Sequence, residues 1–172
     1  MSLPVLSSER VSLVPVSHAV AYAVLAGQGL DAALAPLTAA PDWPHADTPD
    51  ALRPLAEYGA PGDDGGWLVV LGSPRDGTVV GDCGWLGGPA PGGDVEIGYG
   101  LAPSARGQGL GTEAVAVLCT WAAAQPGVTR LTADVLPGNE ASLRLLRRLG
   151  FAQAAADEAA ASYAGPYLRM VR

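Results

Sequence analysis

The sequence predicts a mixed α/β protein that forms a single domain over residues 1–172, with a mostly antiparallel sheet. Its 172 residues suffice for one domain with one hydrophobic core. Residues 67–71 and 78–85 are apolar segments joined by turn residues, a pattern typical of hairpin-linked strands. Residues 109–125 carry apolar side chains at helical spacing. No internal repeat or interdomain linker is evident.

The first hundred residues supply most of the predicted strands. Alternation predicts a strand over 10–16, and Ser17 can cap the helix that follows. A second, short helix is expected over 31–37. Thr48 is the predicted cap of a third helix, with a proline in its first turn. A further strand over 94–101 precedes the helical half of the chain.

The second half begins with the helix over 109–125, and a strand is predicted over 128–135. Asn139 can cap a last helix, with Gly150 as its C-cap. The remaining residues are compatible with two final strands, over 151–155 and 166–171, with an ambiguous stretch between them.

The charge of the chain is unevenly distributed. Residues 1–100 hold 12 acidic residues and 3 arginines, whereas residues 101–172 hold 5 acidic residues and 7 arginines. An acidic surface repels nucleic-acid phosphates and attracts cations, while the arginine-bearing half can meet an anionic ligand. We therefore expect no nucleic-acid partner and a cationic substrate that enters from the acidic half, which contains Asp42, Asp47, Asp50, Asp63 and Asp64.

Cysteine usage and hydropathy indicate the compartment. Cys83 and Cys119 lie 36 positions apart without a metal-binding spacing, so neither a metal site nor a disulfide framework is expected. No uninterrupted apolar run reaches the roughly 18 residues that a membrane span needs. We expect a cytoplasmic protein without a membrane partner.

A glycine-rich segment leads into the helix over 109–125 and predicts an anion site. The segment is Arg106, Gly107, Gln108, Gly109, Leu110, Gly111 and Thr112. Glycine allows close backbone approach, and the free N–H groups of a helix's first turn favour an anion. The same glycines also satisfy a dinucleotide pattern with Asp134 downstream, which keeps an oxidoreductase as a remote alternative. A simple loop–helix junction is the other alternative.

The spacing Arg-x-x-Gly-x-Gly resembles the acetyl-coenzyme A (acetyl-CoA) pyrophosphate loop of the GCN5-related N-acetyltransferases, the GNAT family. The segments 94–101, 137–142 and 149–151 follow the order and spacing of the branch that contains the ribosomal-protein N-terminal acetyltransferases. The resemblance implies a splayed sheet of about six to seven strands flanked by about four helices. It also implies direct acetyl transfer from acetyl-CoA to a primary amine, in a ternary complex.

The resemblance assigns residues to the co-substrate. The anion segment would hold the pyrophosphate, and the pantetheine would lie along the strand at Gly98, Tyr99, Gly100 and Leu101. Asn139 and Ser142 would contact the co-substrate from the last helix. The glycines could instead mark a bulge or crowded packing, and Asn139 could be only a helix cap.

Glu96 and Ser142 are the candidate catalytic residues. Several family members place a base that acts through water at the position of Glu96. Many supply the leaving thiolate's proton from a tyrosine seven positions after the asparagine, but here that position is Leu146. Ser142 is the candidate substitute, and Tyr163 and Tyr167 are weaker ones. A salt-bridged strand residue and a polar helix residue are the structural alternatives for Glu96 and Ser142.

The missing tyrosine leaves a second function open, a non-catalytic acyl-CoA-binding sensor or module. The sequence does not identify the amine acceptor; an antibiotic, a polyamine, an amino acid and a protein N-terminus all fit. It leaves room for a homodimer. His18 and His45 are expected to be surface or loop residues rather than catalysts.

Overall fold

The computed structural model describes residues 3–58, 65–87, 89–155 and 167–172. The predicted sites Asp63, Asp64 and Tyr163 lie outside these residues. The helices are α1 (His18–Ala26), α2 (Leu30–Leu34), α3 (Thr48–Tyr58), α4 (Leu110–Ala123) and α5 (Glu140–Arg148). The strands are β1 (Leu6–Ser7), β2 (Val11–Pro15), β3 (Thr38–Ala39), β4 (Gly65–Leu71), β5 (Thr78–Leu86), β6 (Asp94–Leu101), β7 (Arg130–Val135), β8 (Ala152–Gln153) and β9 (Leu168–Val171).

These strands form one sheet in the order β1-β2-β4-β5-β6-β7-β9-β8, with β3 beside β5. Only the β3–β5 and β6–β7 pairs are parallel. The predicted fold class, mixed α/β with a mostly antiparallel sheet, is therefore confirmed. Over the described residues the sheet has nine strands rather than six or seven, because β1, β3 and β8 have two residues each and are too short to show periodicity.

The two faces of the sheet carry different helices. Helix α4 packs against one face, where Trp121 makes edge-on contacts with Trp67 and Trp85 at ring distances of 4.8 and 4.9 Å. Asp82 points to the opposite face, because side chains alternate along β5. There it accepts a hydrogen bond of 2.7 Å from the hydroxyl of Thr48, the first residue of α3.

Helix ends agree with the sequence to within a few residues. The hydroxyl of Ser17 accepts a bond from the N–H of Val20 and caps α1, as predicted. Helix α2 ends three residues earlier than predicted, because the residue before a proline avoids the helical conformation and Ala35 precedes Pro36. Gly150 is not the C-cap of α5. Leu149 is the C-cap, and Gly150 follows it at φ +86°.

No helix in the described part of the chain is long and apolar enough to cross a membrane.

Candidate active site

The sheet opens between β6 and β7. Their parallel ladder joins only residues 94–96 to residues 130–132 and stops at the Glu96–Thr132 pair. Residues 97–101 of β6 continue beside β5 without a partner from β7. We call this opening the β6–β7 gap. It gives β6 a free backbone edge, which is what an extended ligand needs in order to pair with a strand.

Gly98 and Gly100 both lie along the β6–β7 gap but differ in their surroundings. A Cβ atom on Gly98 would meet no atom within 4 Å, so the strand is bare there. A Cβ atom on Gly100 would collide with the imidazole ring of His45. Gly98 thus leaves space for a ligand, whereas Gly100 makes room for a histidine.

Glu96 lies where the β6–β7 gap begins and faces an open cleft. The cleft has a volume of about 460 Å³ and is lined by Leu86, Gly87, Pro89, Ala90, Asp94, Glu96, Thr132 and Arg169. Burial, and secondarily the nearby carboxylate of Asp134, raise the pKa of Glu96, while Arg169 lowers it. A carboxylate with a raised pKa is a stronger base than an exposed one, which suits proton removal.

The predicted anion segment, residues 106–112, forms a turn up to Gly109 and then the first residues of α4. We call it the anion loop. Gly107 and Gly109 have φ values of +76° and +80°, a region that glycine adopts at little cost. Gly109 is the N-cap of α4, and no side chain caps the helix. The first N–H groups of α4 therefore remain available to an anion.

The side chains of this anion loop shape it. The Nε of Arg106 donates to the carbonyl of Leu101 at 3.0 Å, and the amide of Gln108 donates to the carbonyl of Ser104 at 3.0 Å. A Cβ atom on Gly111 would lie 3.2 Å from Leu101 and 3.3 Å from Leu145. Gly111 thus permits close packing of α4, and a side chain there would crowd the core rather than fill an anion site.

Ser142 contacts Tyr99, a residue that the resemblance places only against the co-substrate. Its hydroxyl lies 2.6 Å from the hydroxyl of Tyr99 on β6, so the pair connects β6 with the first turn of α5. The side chain of Asn139 accepts a bond from the N–H of Ser142 at 3.2 Å, which makes Asn139 the N-cap of α5. Leu146 is fully buried and offers no proton. Burial raises the pKa of Tyr99 to about 12.

A family model of the acetyltransferase (GNAT) domain matches residues 10–152. The chain belongs to the GNAT family. The uncharacterised N-acetyltransferase YjdG of Bacillus subtilis is 33% identical over 115 residues, which are 64% of this chain and 67% of that protein.

Solved structures of other GNAT-like proteins share the fold. A putative GNAT-family acetyltransferase from Bordetella pertussis is 25% identical, with a TM-score of 0.66 and 99% of each chain covered. The ribosomal L7/L12 α-N-protein acetyltransferase RimL, solved in complex with coenzyme A, is 19% identical, with a TM-score of 0.64 over 98% of this chain and 97% of that one. At this level of identity the likeness to RimL concerns the fold alone.

A set of contacts between the N-terminal hairpin and α4 of this GNAT protein was missed by the sequence analysis, and we call it the clamp. Glu113, in the first turn of α4, accepts bonds from the backbone N–H and the guanidinium of Arg10 and from the hydroxyl of Ser8. The guanidinium also donates to the carbonyl of Gln108 at 3.0 Å. The clamp ties the anion loop to the β1–β2 hairpin. Its residues are about a hundred positions apart, and no local pattern reveals such a pairing.

A buried polar cluster around Asp82 was also missed. Asp82 accepts bonds from the indole of Trp43 at 2.9 Å and from Thr48, and its carboxylate lies 3.2 Å from the Nε2 of His45. That nitrogen has no well-aligned hydrogen bond among the described residues. His45 lies in a loop, as expected, but not on the surface: it is 8% exposed. The Asp82 carboxylate beside the imidazole ring outweighs burial and raises the pKa of His45.

Asp42 has a structural partner rather than a free carboxylate. It accepts bonds from the hydroxyl and the N–H of Ser104, at 2.6 and 2.7 Å, and so holds the turn before the anion loop. The Ser104 hydroxyl is the main cause that lowers the pKa of Asp42. Two more of the aspartates named for the acidic half are exposed. Asp50 pairs with Arg53 on α3, and Asp47 lies in the loop before that helix.

The two thiols are buried. Burial raises the pKa of Cys83, and it raises that of Cys119 to about 11, so both stay protonated and unreactive near neutral pH.

Tyr167, one of the weaker candidate acids, is 41% exposed just before β9. Among the residues that the structure describes, no group of three or more histidine, cysteine or acidic side chains could hold a metal ion.

The two glycines of the gap give a matched test of packing. We expect Gly100→Ala to lower the melting temperature, because the added methyl group collides with His45 and overpacking costs about 1–3 kcal/mol. Gly98→Ala is the control and should melt at or above the wild-type temperature, because its methyl group enters open space. Equal losses in the two variants would contradict the packing described here.

Proposed function

We propose that this protein transfers the acetyl group of acetyl-CoA to a primary amine, directly, in a ternary complex. One observation carries the proposal: β6 separates from β7 immediately after Glu96, and the free edge of β6 leads towards the anion loop. A candidate base, a free strand edge and an anion site thus follow one another along one path.

The residues present fit acetyl-CoA. The open N–H groups at the start of α4 suit a pyrophosphate, and the free edge at residues 97–101 suits the amide groups of pantetheine. Arg106 adds a positive charge at the start of this loop. When bound, acetyl-CoA supplies an acetyl group activated as a thioester.

Glu96 is the proposed general base. An α-amino group titrates near pH 7.7–8.0 and a lysine near 10.4, so most amine acceptors arrive protonated and must lose a proton before they attack. Glu96 opens onto the cleft, and burial strengthens it as a base. It would take the proton directly or through one water molecule.

Ser142, backed by Tyr99, is the proposed acid. The raised pKa of Tyr99 keeps its hydroxyl protonated across the working pH range, so it can donate to Ser142 while Ser142 donates to the leaving thiolate. We expect Ser142→Ala to lower kcat about 10²-fold, the lower end of general acid–base effects, with little change in acetyl-CoA affinity.

Tyr99→Phe tests the second half of the pair. It should lower kcat less than Ser142→Ala does, and the double variant should be no slower than Ser142→Ala, because Tyr99 acts through Ser142. Steady-state kinetics with calorimetry of acetyl-CoA binding measures both parts. Additive losses would show that the two hydroxyls act independently.

The cleft favours a cationic acceptor. In the described part of the chain its charged groups and their partners are Asp94, Glu96, Asp134, Arg130 and Arg169, which leave one negative charge in excess when Glu96 is ionised. An ammonium group would neutralise this excess negative charge. Small amines and protein N-termini both fit, and a cytoplasmic setting and a homodimer stay predictions.

An acceptor panel tests the proposed function. Release of the free thiol from acetyl-CoA is measured with and without polyamines, aminoglycosides, amino acids and N-terminal peptides, and the acetylated product is identified by mass. Amine-dependent release is expected for at least one class. Tight acetyl-CoA binding without release for any amine would support the acyl-CoA sensor instead.

A further inference from the structure

Glu96 belongs to a chain of three charged side chains that crosses β6, β9 and β7. The Nε and Nη2 of Arg169 donate to the two carboxylate oxygens of Asp134 at 2.9 and 3.1 Å. The same Nη2 lies 3.5 Å from the Oε2 of Glu96. We call Glu96, Arg169 and Asp134 the charge chain.

The register of the sheet fixes this arrangement. Asp134 and Arg169 are directly opposite each other in the β7–β9 ladder, and Glu96 is opposite Thr132, two residues before Asp134 on the same strand face. All three side chains therefore rise from one face of the sheet.

The charge chain differs from an ordinary surface ion pair. The side chains of Asp134, Arg169 and Glu96 are 7%, 12% and 20% exposed. Exposed pairs are screened by solvent and contribute little, whereas charges that are partly shielded from water act more strongly on one another. The two-point bond to Asp134 also fixes the guanidinium, so its contact with Glu96 is not left to a freely rotating side chain.

We propose that Arg169, held by Asp134, is a positioning residue that keeps the Glu96 carboxylate oriented towards the cleft and ionised for proton removal. This inference rests on the proposed function for its catalytic meaning, but its electrostatic content can be measured without turnover.

The two partners act on Glu96 in opposite directions. Arg169 opposes protonation of Glu96, while burial and Asp134 favour it. Among the residues that the structure describes, the other charged groups that line or adjoin the cleft are Asp94 and Arg130, which bind each other through two bonds of 3.0 and 2.6 Å. Because Arg130 is bound to Asp94 and Arg169 contacts Glu96 itself, Arg169 is the described cation best placed to counter Asp134 at Glu96.

The test compares Arg169→Gln, Arg169→Lys and Asp134→Asn with the wild type. Carboxyl carbon NMR follows the titration of Glu96, whose signal is assigned by its loss in Glu96→Gln, and kcat is measured against pH on the acceptor found in the panel. Arg53→Gln, which removes an exposed arginine of α3, is the matched control.

Arg169→Gln should move the Glu96 titration and the rise of kcat to higher pH, because the carboxylate loses its cation. Asp134→Asn should move both to lower pH, because a negative charge is removed. Arg169→Lys should lie between wild type and Arg169→Gln, and Arg53→Gln should match the wild type.

Shifts in the same direction for Arg169→Gln and Asp134→Asn, or no shift in either, would overturn the inference. NMR shifts of opposite sign with an unmoved rate profile would overturn its catalytic part. If no amine is acetylated at all, the proposed function fails. The NMR titration still decides whether Arg169 and Asp134 control the ionisation of Glu96.

Discussion

Glu96→Gln is expected to lower kcat by about 10²–10⁴-fold while acetyl-CoA binds almost as tightly as to the wild type. Glutamine keeps the size of the side chain but cannot accept the proton of an ammonium group. The remaining activity should also lose its dependence on the ionisation of Glu96, so kcat should rise with pH only as the bound acceptor deprotonates. Thiol-release kinetics between pH 6 and 10, with calorimetry for acetyl-CoA, measures both effects.

Glu57→Gln is a suitable control for this substitution, because Glu57 is an exposed glutamate on α3 whose contact is an ion pair with Arg53. It should leave kcat, its pH dependence and acetyl-CoA affinity unchanged. A near-normal rate and pH profile in Glu96→Gln would show that Glu96 has only a structural role in the charge chain.

Gly109→Val is expected to abolish acetyl-CoA binding. Gly109 adopts φ +80°, where a β-branched side chain is strained, and its Cβ atom would lie 3.4 Å from the guanidinium of Arg10. Relieving the backbone strain would displace the N–H groups at the start of α4. Arg106→Ala should only weaken binding, about ten- to hundredfold, because one charged hydrogen bond is worth about 1.5–3 kcal/mol.

Gly29→Val controls for backbone strain. Gly29 is the N-cap of α2 at φ +74° and has no neighbour within 4 Å of its Cβ position. Both glycine variants should lose similar stability to the strained backbone, but only Gly109→Val should lose acetyl-CoA binding, measured by calorimetry on the folded proteins. Unchanged acetyl-CoA affinity in Gly109→Val would show that the anion loop is not part of the acetyl-CoA site.

The parts of the site that the sequence predicted are those encoded locally. The anion loop is a run of neighbouring glycines before a helix, so spacing alone indicates it. The alternation along 94–101 places Glu96 and the glycines on one strand face, and the short ladder between β6 and β7 agrees with the predicted splay.

The parts that the sequence did not predict depend on tertiary contacts. Arg10 reaches Glu113, Tyr99 reaches Ser142 and Arg169 reaches Glu96 over 103, 43 and 73 positions. Periodicity carries no information about such pairs, because it reports which face a residue occupies and not what it meets there.

Buried polar residues in loops are equally hidden from sequence analysis. Loops are polar on average, so a histidine in a segment rich in proline and aspartate is expected to be exposed. His45 is buried because Gly100 provides room for its ring and Asp82 provides a charge. Only the fold brings these two strand residues to one place.

Amide hydrogen exchange with and without coenzyme A tests most directly whether the β6–β7 gap and the anion loop hold the co-substrate. A ligand that pairs with the free edge of β6 and rests on the start of α4 should slow exchange in peptides that cover residues 97–101 and 107–112. Exchange in α3, which begins at the Asp82 cluster and is not part of the proposed site, should stay the same. Protection confined to other segments, with these two unchanged at saturating coenzyme A, would contradict the proposed site.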